Sequence, residues 1–316
     1  MPLSRPALDA ELAEFLAQLP AAPALDADTL PLMRQYAIPA EAFLEGRSVE
    51  RRELTLSAPD GARLPLSVFR PTGLDAAKAA PCIYWLHGGG MVMGDRFANL
   101  DITLDWLERF GAVVVTLDYR LAPEASGTTL VEDCYAGLVW TVGHAAELGI
   151  DPTRVIVAGA SAGGGLSAGI TLLARDRGGP AIAAQILICP MLDHRNDSVS
   201  SQQYAEGPAT WTRGANAFGW QSVRGSGEVS AYMSPALAAD LGNLPPTFID
   251  AGSAEVFRDE DAAYASRIWA AGGEAELHVW PGGFHGFDAL FPQARLSIIA
   301  RQTRTDWLGR ILNRMN

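Results

Sequence analysis

Residues 159–163 read Gly-Ala-Ser-Ala-Gly, the pattern G-x-S-x-G around Ser161. A serine hydroxyl becomes a useful nucleophile when a base takes its proton and the backbone presents it openly. The flanking sequence predicts that presentation: the apolar run RVIVA precedes the motif and the helix-like stretch AGGGLSAGITLLAR follows it. A turn that sharp brings neighbouring chain close, and Gly159 and Gly163 have no Cβ to clash with it. Ser161 then stands at a helix N-terminus, whose amides favour negative charge. Gly163, Gly165 and Ala168 also fit the G-x-G-x-x-A of dinucleotide sites. Those glycines fall inside the predicted helix, however, and no acidic residue closes a following strand at the required distance.

A second glycine cluster, HGGGMVMG from His87 to Gly94, directly follows the apolar run CIYWL. Acyl transfer needs donors aimed at the oxyanion that develops, and bare glycine amides supply them without steric cover. Gly89 and Gly90, with Ala162 as third donor, are the candidates. Five histidines could act as the base. His87 heads the glycine loop and reads as its orienter, His144 lies in a helical stretch, His194 in an irregular segment and His278 in the strand-like ELHVW. His285, in the loop WPGGFHGF between the last strand and the last helix, has no packing reason to be there and is the candidate base. The third member should follow the penultimate strand. There FIDAGSAEVFRDEDAAYA offers Asp250, Glu255, Asp259, Glu260 and Asp261. Asp250 reads as strand, and the last three as a helix start where acids suit the dipole. Glu255 sits in the loop itself and is preferred, with Asp259 as the alternative.

These groups need a frame. RRELTLSA and ARLPLSVFR alternate like half-buried strands around the turn PDG. CIYWLH, AVVVTLDY, RVIVAGA, AAQILICP and PTFIDAG are continuous apolar runs, as parallel strands buried on both faces require, and AELHVW is a last strand. Helices are predicted over 97–110, 130–148, 166–175, 260–271 and 292–315. The order predicts an α/β fold with a mostly parallel sheet. The N-terminal stretch ALDAELAEFLAQLP places Leu8, Leu12, Phe15, Leu16 and Leu19 on one helical face, and ADTLPLMRQYA offers a shorter helix. The long segment before LPPTFID is too long for a structureless loop and should form helices over the sheet. The expected division is 1–45 for N-terminal cap helices, 46–194 with 240–316 for the catalytic domain, and 195–239 for a cap insertion.

Bulk properties narrow the partners. The 316 residues are 48% hydrophobic, with a formal net charge of −12. An acidic surface repels nucleic-acid phosphates and anionic lipid, so neither partner is expected. The N-terminus has no apolar core of a signal peptide, and no uncharged apolar run approaches the roughly 18–20 residues of a membrane span. Cys82, Cys134 and Cys189 are widely spaced, which suits a reduced cytoplasmic protein and neither a disulfide framework nor a metal site. The edge of the last strand is open to pairing two subunits as a homodimer.

Together, HGGGMVMG, DYRLAPE, GASAGGGLSAG, SAEVFRDE and GGFHGF resemble, in content and order, the hormone-sensitive-lipase-like branch of the α/β-hydrolases, the bacterial family IV esterases. The resemblance runs from about Leu54 to the C-terminus. It implies an α/β-hydrolase fold with an eight-stranded sheet and a helical cap. It also implies hydrolysis of short- to medium-chain carboxylic esters without cofactor or metal, with Gly89, Gly90 and Ala162 as the oxyanion hole. The family often has Asp or Thr where Ala160 stands, and Glu255 falls on the position of the family's catalytic aspartate. ASGTT replaces a proline-rich continuation after DYRLAPE, a motif that reads as support for the glycine loop. A non-catalytic receptor on the same fold, or an amidase or lactonase using the same groups, stays open at this point.

Overall fold

The structure, a computed structural model, describes residues 3–20, 23–74 and 78–315. The strands are β1 (Val49–Ser57), β2 (Arg63–Pro71), β3 (Ala80–Leu86), β4 (Val113–Leu117), β5 (Ile150–Ala160), β6 (Ala184–Ile188), β7 (Thr247–Gly252) and β8 (Ala275–Trp280). They form one sheet in the order β1-β2-β4-β3-β5-β6-β7-β8. β1 and β2 pair antiparallel, with Leu54 opposite Leu66 and Leu56 opposite Leu64, and β2 is antiparallel to β4. Every later pairing is parallel.

The helices before β5 are α1 (Ala10–Leu16), α2 (Leu30–Met33), α3 (Ala40–Leu44), α4 (Leu100–Phe110), α5 (Thr129–Gly143) and α6 (Ala145–Leu148). Those after it are α7 (Ala162–Arg177), α8 (Val199–Gln203), α9 (Arg213–Arg224), α10 (Arg258–Ala270), α11 (Phe287–Leu290) and α12 (Arg295–Arg314). Alternate residues of β3 face opposite layers. Cys82, Tyr84 and Leu86 pack with Leu138 of α5 and Ile170 of α7, whereas Ile83 and Trp85 pack with Trp106 of α4 and Leu308 of α12. This two-sided burial is why the central strands read as unbroken apolar runs. Each such side chain contributes about 1.5–3 kcal/mol when fully buried.

Several element boundaries differ from the sequence expectation. α4 starts at Leu100 rather than at residue 97. Asp95 accepts the Phe97 amide, and Asn99 takes a left-handed conformation that delays the helix. The stretch 130–148 is two helices, broken at His144. α7 starts directly after Ser161, as the serine motif requires, four residues before the periodic stretch 166–175. Its glycines have poor helix propensity, but its first turn is held by close packing on β3. At the N-terminus only Leu12 of the predicted apolar face is fully buried; Leu8 and Leu19 fall outside α1 and are exposed. The predicted last helix, 292–315, is α12, which starts at Arg295, and the short α11 precedes it within the His285 loop region.

The sheet order explains the site. β3 and β5 are neighbours, with Leu86 paired to Gly159, so the glycine loop after β3 and the serine turn after β5 emerge side by side. β7 and β8 end at the same carboxyl edge and deliver the loops that hold Glu255 and His285. Loops at this edge are where open α/β sheets place their ligands.

Candidate active site

Ser161 has φ 57° and ψ −119°, a conformation L-residues rarely adopt. Holding it costs on the order of 1–3 kcal/mol, which the surroundings must offset. They do so through the backbone. The Ser161 amide donates to Ile188 O at 2.8 Å, and its carbonyl accepts from Met191 N at 2.9 Å and Gly165 N at 3.0 Å. The glycines make the turn sterically feasible. A Cβ on Gly163 would lie 2.0 Å from Leu86 O, and one on Gly159 would lie 2.4 Å from Gly163 O.

Ser161, His285 and Glu255 form one hydrogen-bonded chain. Ser161 Oγ lies 3.0 Å from His285 Nε2, and His285 Nδ1 lies 2.6 Å from Glu255 Oε2. Glu255 is buried, and its Oε1 accepts the Gly252 amide at 2.5 Å. A carboxylate facing Nδ1 fixes the neutral imidazole with its proton there, which leaves Nε2 to accept from the serine hydroxyl. The imidazole is further boxed by Phe257, edge-on at 5.1 Å, and by Trp211 at 6.2 Å.

The alternative acids have other partners. Asp259 accepts the Ser200 amide at 2.7 Å and pairs with Arg258. Asp250 is bound to Arg304 at 2.7 Å and to the Trp280 indole at 2.8 Å. Glu260 is buried and accepts the amides of Leu192 and Asp193, and burial raises its carboxyl well above the usual range. Asp261 is fully buried with neither oxygen partnered, and burial beside other carboxylates likewise raises its carboxyl well above the usual range. Sequence reasoning assigned Glu260 and Asp261 to a helix start and missed their burial. It also missed the buried Asp250–Arg304–Asp288 cluster under the His285 loop, whose partners lie far apart in the chain.

Gly89 (φ 114°) and Gly90 (φ 62°) take conformations that favour glycine. Space excludes other residues too: a Cβ on Gly89 would meet Met93 O at 2.1 Å, and one on Gly90 the Trp211 ring at 2.4 Å. Among the described residues, the amides of Gly89, Gly90 and Ala162 have no acceptor within the protein. His87 is buried, stacked on Tyr119 at 4.2 Å, and its Nδ1 lies 2.7 Å from Gly88 O. Burial lowers its pKa, so it is neutral. The DYRLAPE segment braces the loop from outside. Ala122 N donates to Met91 O at 2.9 Å, Asp118 holds Arg96, and Arg34 of the N-terminal region bridges Val92 O, Ala122 O and Glu124. His144 caps α5, His194 contacts Ser234 and His278 pairs with Glu276, all away from Ser161.

These groups open into a cavity of about 790 Å³ that includes Ser161, His285, Met33, Tyr36, Ile102 and Trp211 in its lining. Among the described residues, one trio brings metal-ligating atoms within 4.8 Å of one another: Cys189, Glu255 and His285. A thiol must ionise to ligate, and burial beside carboxylates holds Cys189 well above its ordinary pKa. Glu255 and His285 are bonded to each other. No helix among the described residues is long and apolar enough to cross a membrane.

Comparison with known proteins agrees with this architecture. Residues 83–289 match the family described as alpha/beta hydrolase fold. Carboxylesterase NlhH of Mycobacterium tuberculosis is 34% identical over 259 residues, covering 81% of this chain and 80% of its own. Carboxylic ester hydrolase LipN of the same organism is 35% identical over 250 residues; the match takes in 77% of this chain but only 65% of LipN. Among solved structures, a bacterial heroin esterase superposes with a TM-score of 0.89 at 36% identity, over 97% of this chain and 98% of its own. The chain belongs to the α/β-hydrolase family, in the hormone-sensitive-lipase-like esterase branch whose motifs it carries.

Proposed function

We propose that this protein is a serine carboxylesterase acting on small-molecule esters of short to medium acyl length. The observation that carries the reading is the unbroken chain Ser161 Oγ–His285 Nε2 (3.0 Å) and His285 Nδ1–Glu255 Oε2 (2.6 Å), beside three amides without acceptors. Ser161 Oγ attacks the ester carbonyl carbon while its proton passes to His285 Nε2. Glu255 keeps the imidazole in the right tautomer and stabilises the imidazolium. The amides of Gly89, Gly90 and Ala162 receive the oxyanion. His285 then protonates the leaving alkoxide, and the acyl group stays on Ser161. Water, deprotonated by the same imidazole, attacks the acyl-enzyme and releases a carboxylic acid and free serine.

The flanking elements read as a cap made by residues 1–45 and 195–239. Trp211 roofs Gly90, Met33 and Tyr36 line the cavity, and Thr210 Oγ1 donates to His285 O at 2.8 Å. The names of the relatives, which include ethyl acetate hydrolase of Pseudomonas putida, support ester rather than amide substrates.

The test combines p-nitrophenyl esters of increasing acyl length with matched anilide and lactone substrates, on wild type and Ser161→Ala. A phosphonate probe is followed by intact mass. The expected result is ester turnover that falls with acyl length, is lost in Ser161→Ala, and is accompanied by one covalent adduct on Ser161. Absence of an adduct, with no turnover of any substrate, overturns the hydrolase reading in favour of a receptor.

A further inference from the structure

Arg304 of α12 is 1% exposed and holds carboxylates from two other elements. Its Nε donates to Asp250 Oδ2 of β7 at 2.7 Å, and its Nη1 donates to Asp288 Oδ2 of α11 at 2.5 Å. Asp250 Oδ2 also accepts from Trp280 Nε1, at the end of β8, at 2.8 Å. Arg301, from the preceding turn of α12, donates through Nε and Nη2 to the Asp288 carbonyl and pairs with Asp101 of α4. The cluster adjoins the Ser161–His285–Glu255 chain. A void of only about 10 Å³ is lined at once by Glu255, Gly286, Asp250, Asp288 and Arg304.

Each carboxylate belongs to the element that carries one member of the His285–Glu255 pair. Asp288 follows His285 in a turn closed by hydrogen bonds from Phe287 N to Phe284 O and from Ala289 N to Gly286 O, both 3.1 Å. A grip on Asp288 therefore restrains the imidazole. Asp250 stands on β7 shortly before Gly252, whose amide holds Glu255 Oε1 at 2.5 Å. Arg304 thus ties the turn of the base to the strand of the acid. Stability alone gives no reason for such an array, because apolar side chains of similar volume often replace a buried ion cluster at little or no cost. Fixed geometry does give one, since the planar guanidinium sets the direction of both bonds at once. Burial raises the Asp250 carboxyl. At Asp288 the burial penalty is outweighed by Arg304, and the carboxyl is lowered. The charged partner of Arg304 is therefore Asp288, on the turn of His285 itself.

We propose that Arg304 is a positioning residue for ester hydrolysis, one that fixes the His285 turn against the strand bearing Glu255 and so aims the imidazole at Ser161. The proposal rests on the hydrolase reading above. It is tested with Arg304→Lys, whose ammonium lacks the fork that engages both carboxylates, and with the charge-balanced pair Arg304→Met/Asp288→Asn, which leaves no lone buried ion. Leu64→Ala, a core truncation in β2 at 1% exposure, is the control for lost stability. Misplacing a catalytic group by about 1 Å can cost roughly 10²-fold. The expected result is a fall in kcat of roughly tenfold to a hundredfold in both Arg304 variants, with KM within about twofold, whereas folded Leu64→Ala keeps its kcat. A second readout needs no turnover: the downfield proton NMR signal of His285 Nδ1–H bonded to Glu255, assigned by its loss in His285→Ala. It should shift or broaden in the Arg304 variants at temperatures where melts show them folded, and stay in place in Leu64→Ala. A wild type without ester turnover sinks the hydrolase reading. A signal that is unchanged in the folded Arg304 variants, or a kcat within about threefold of wild type, overturns the present proposal. If neither Arg304 variant folds, the cluster is structural only and the proposal falls.

Discussion

Replacing Glu255 with Gln separates a catalytic acid from a structural one. Both Glu255 oxygens are committed as acceptors, Oε2 to His285 Nδ1 at 2.6 Å and Oε1 to the Gly252 amide at 2.5 Å. A glutamine has one acceptor and one donor end. If its oxygen stays on Gly252, its amide group faces Nδ1 and stabilises the opposite imidazole tautomer, with the proton on Nε2. That proton then points at Ser161 Oγ, and the base is lost. If the amide is flipped, its N–H groups meet the Gly252 N–H in a buried site, which costs about 1–3 kcal/mol. The imidazolium formed during attack also loses its counter-charge. In an unrelated serine hydrolase the equivalent loss lowers kcat by roughly 10⁴, or about 5 kcal/mol of barrier. A fall in kcat of about 10³–10⁴ is expected here, with KM little changed and the protein still folded. Asp259→Asn should keep most turnover and lose stability instead, because Asp259 holds the Ser200 amide and Arg258. Steady-state hydrolysis of a p-nitrophenyl ester and thermal melts on both variants decide the matter. A Glu255→Gln enzyme within tenfold of wild type, beside an Asp259→Asn enzyme that is folded and inactive, would refute the reasoning.

Three further perturbations follow from the same geometry. Gly163→Ala places a Cβ 2.0 Å from Leu86 O and 2.5 Å from His87 O, so either β3 or α7 must shift. A destabilisation of about 1–3 kcal/mol, read as a lower melting temperature, should accompany a loss of turnover. Thr210→Val removes the hydroxyl that holds the His285 carbonyl at 2.8 Å. Here kcat should fall roughly fivefold at nearly constant KM, with recovery in Thr210→Ser. Asp261→Asn tests the buried unpartnered acid, whose folded pKa is raised. Below the unfolded pKa both states of the wild type are protonated. Above it the unfolded chain releases a proton that the folded chain retains, so the wild type loses stability as pH rises. The variant lacks this loss. Its stability relative to wild type should therefore climb from about pH 4 upward, by at most about 1.4 kcal/mol per pH unit, in chemical denaturation. A difference that stays flat with pH sinks the idea.

The frame was legible because its signals are local. Runs such as CIYWLH and RVIVAGA declare buried parallel strands, and Ser161, Gly89 and Gly90 each sit beside one of them. His285 stood out for a negative reason: no strand or helix needed it. The acids were harder. Within FIDAGSAEVFRDEDAAYA five carboxylates are nearly equivalent as text, and their roles differ only through partners elsewhere in the chain. Asp250 is set by Arg304, which lies 54 residues away, and Asp259 by Ser200, which lies 59 away. Nothing local marks Glu260 as the acceptor for the turn after β6, or Asp261 as buried. The glycine-rich start of α7 was legible from the serine motif and not from helical periodicity, for a related reason. Propensity describes an isolated segment, whereas here the missing side chains let α7 approach β3 closely enough to hold a helix there.

That close approach ties the strained serine to the glycine loop. Gly163 of α7 packs against Leu86 O and His87 O, the residues that launch the loop, and Gly88 packs back against the Ala160 carbonyl and Ser161 Cβ. Ser161 and the glycine loop therefore share one steric contact and cannot move independently. Trp211 closes the same cluster from the other side, because its ring fills the space a side chain on Gly90 would need, and its neighbour Thr210 grips the His285 carbonyl. A segment between β6 and β7, distant in sequence from the four site loops, thus touches both the glycine loop and His285. Substitutions at Trp211 should accordingly alter turnover as well as substrate size preference. A Trp211→Phe enzyme that changed only acyl-length preference, at full kcat on its best ester, would confine this segment to forming the pocket wall.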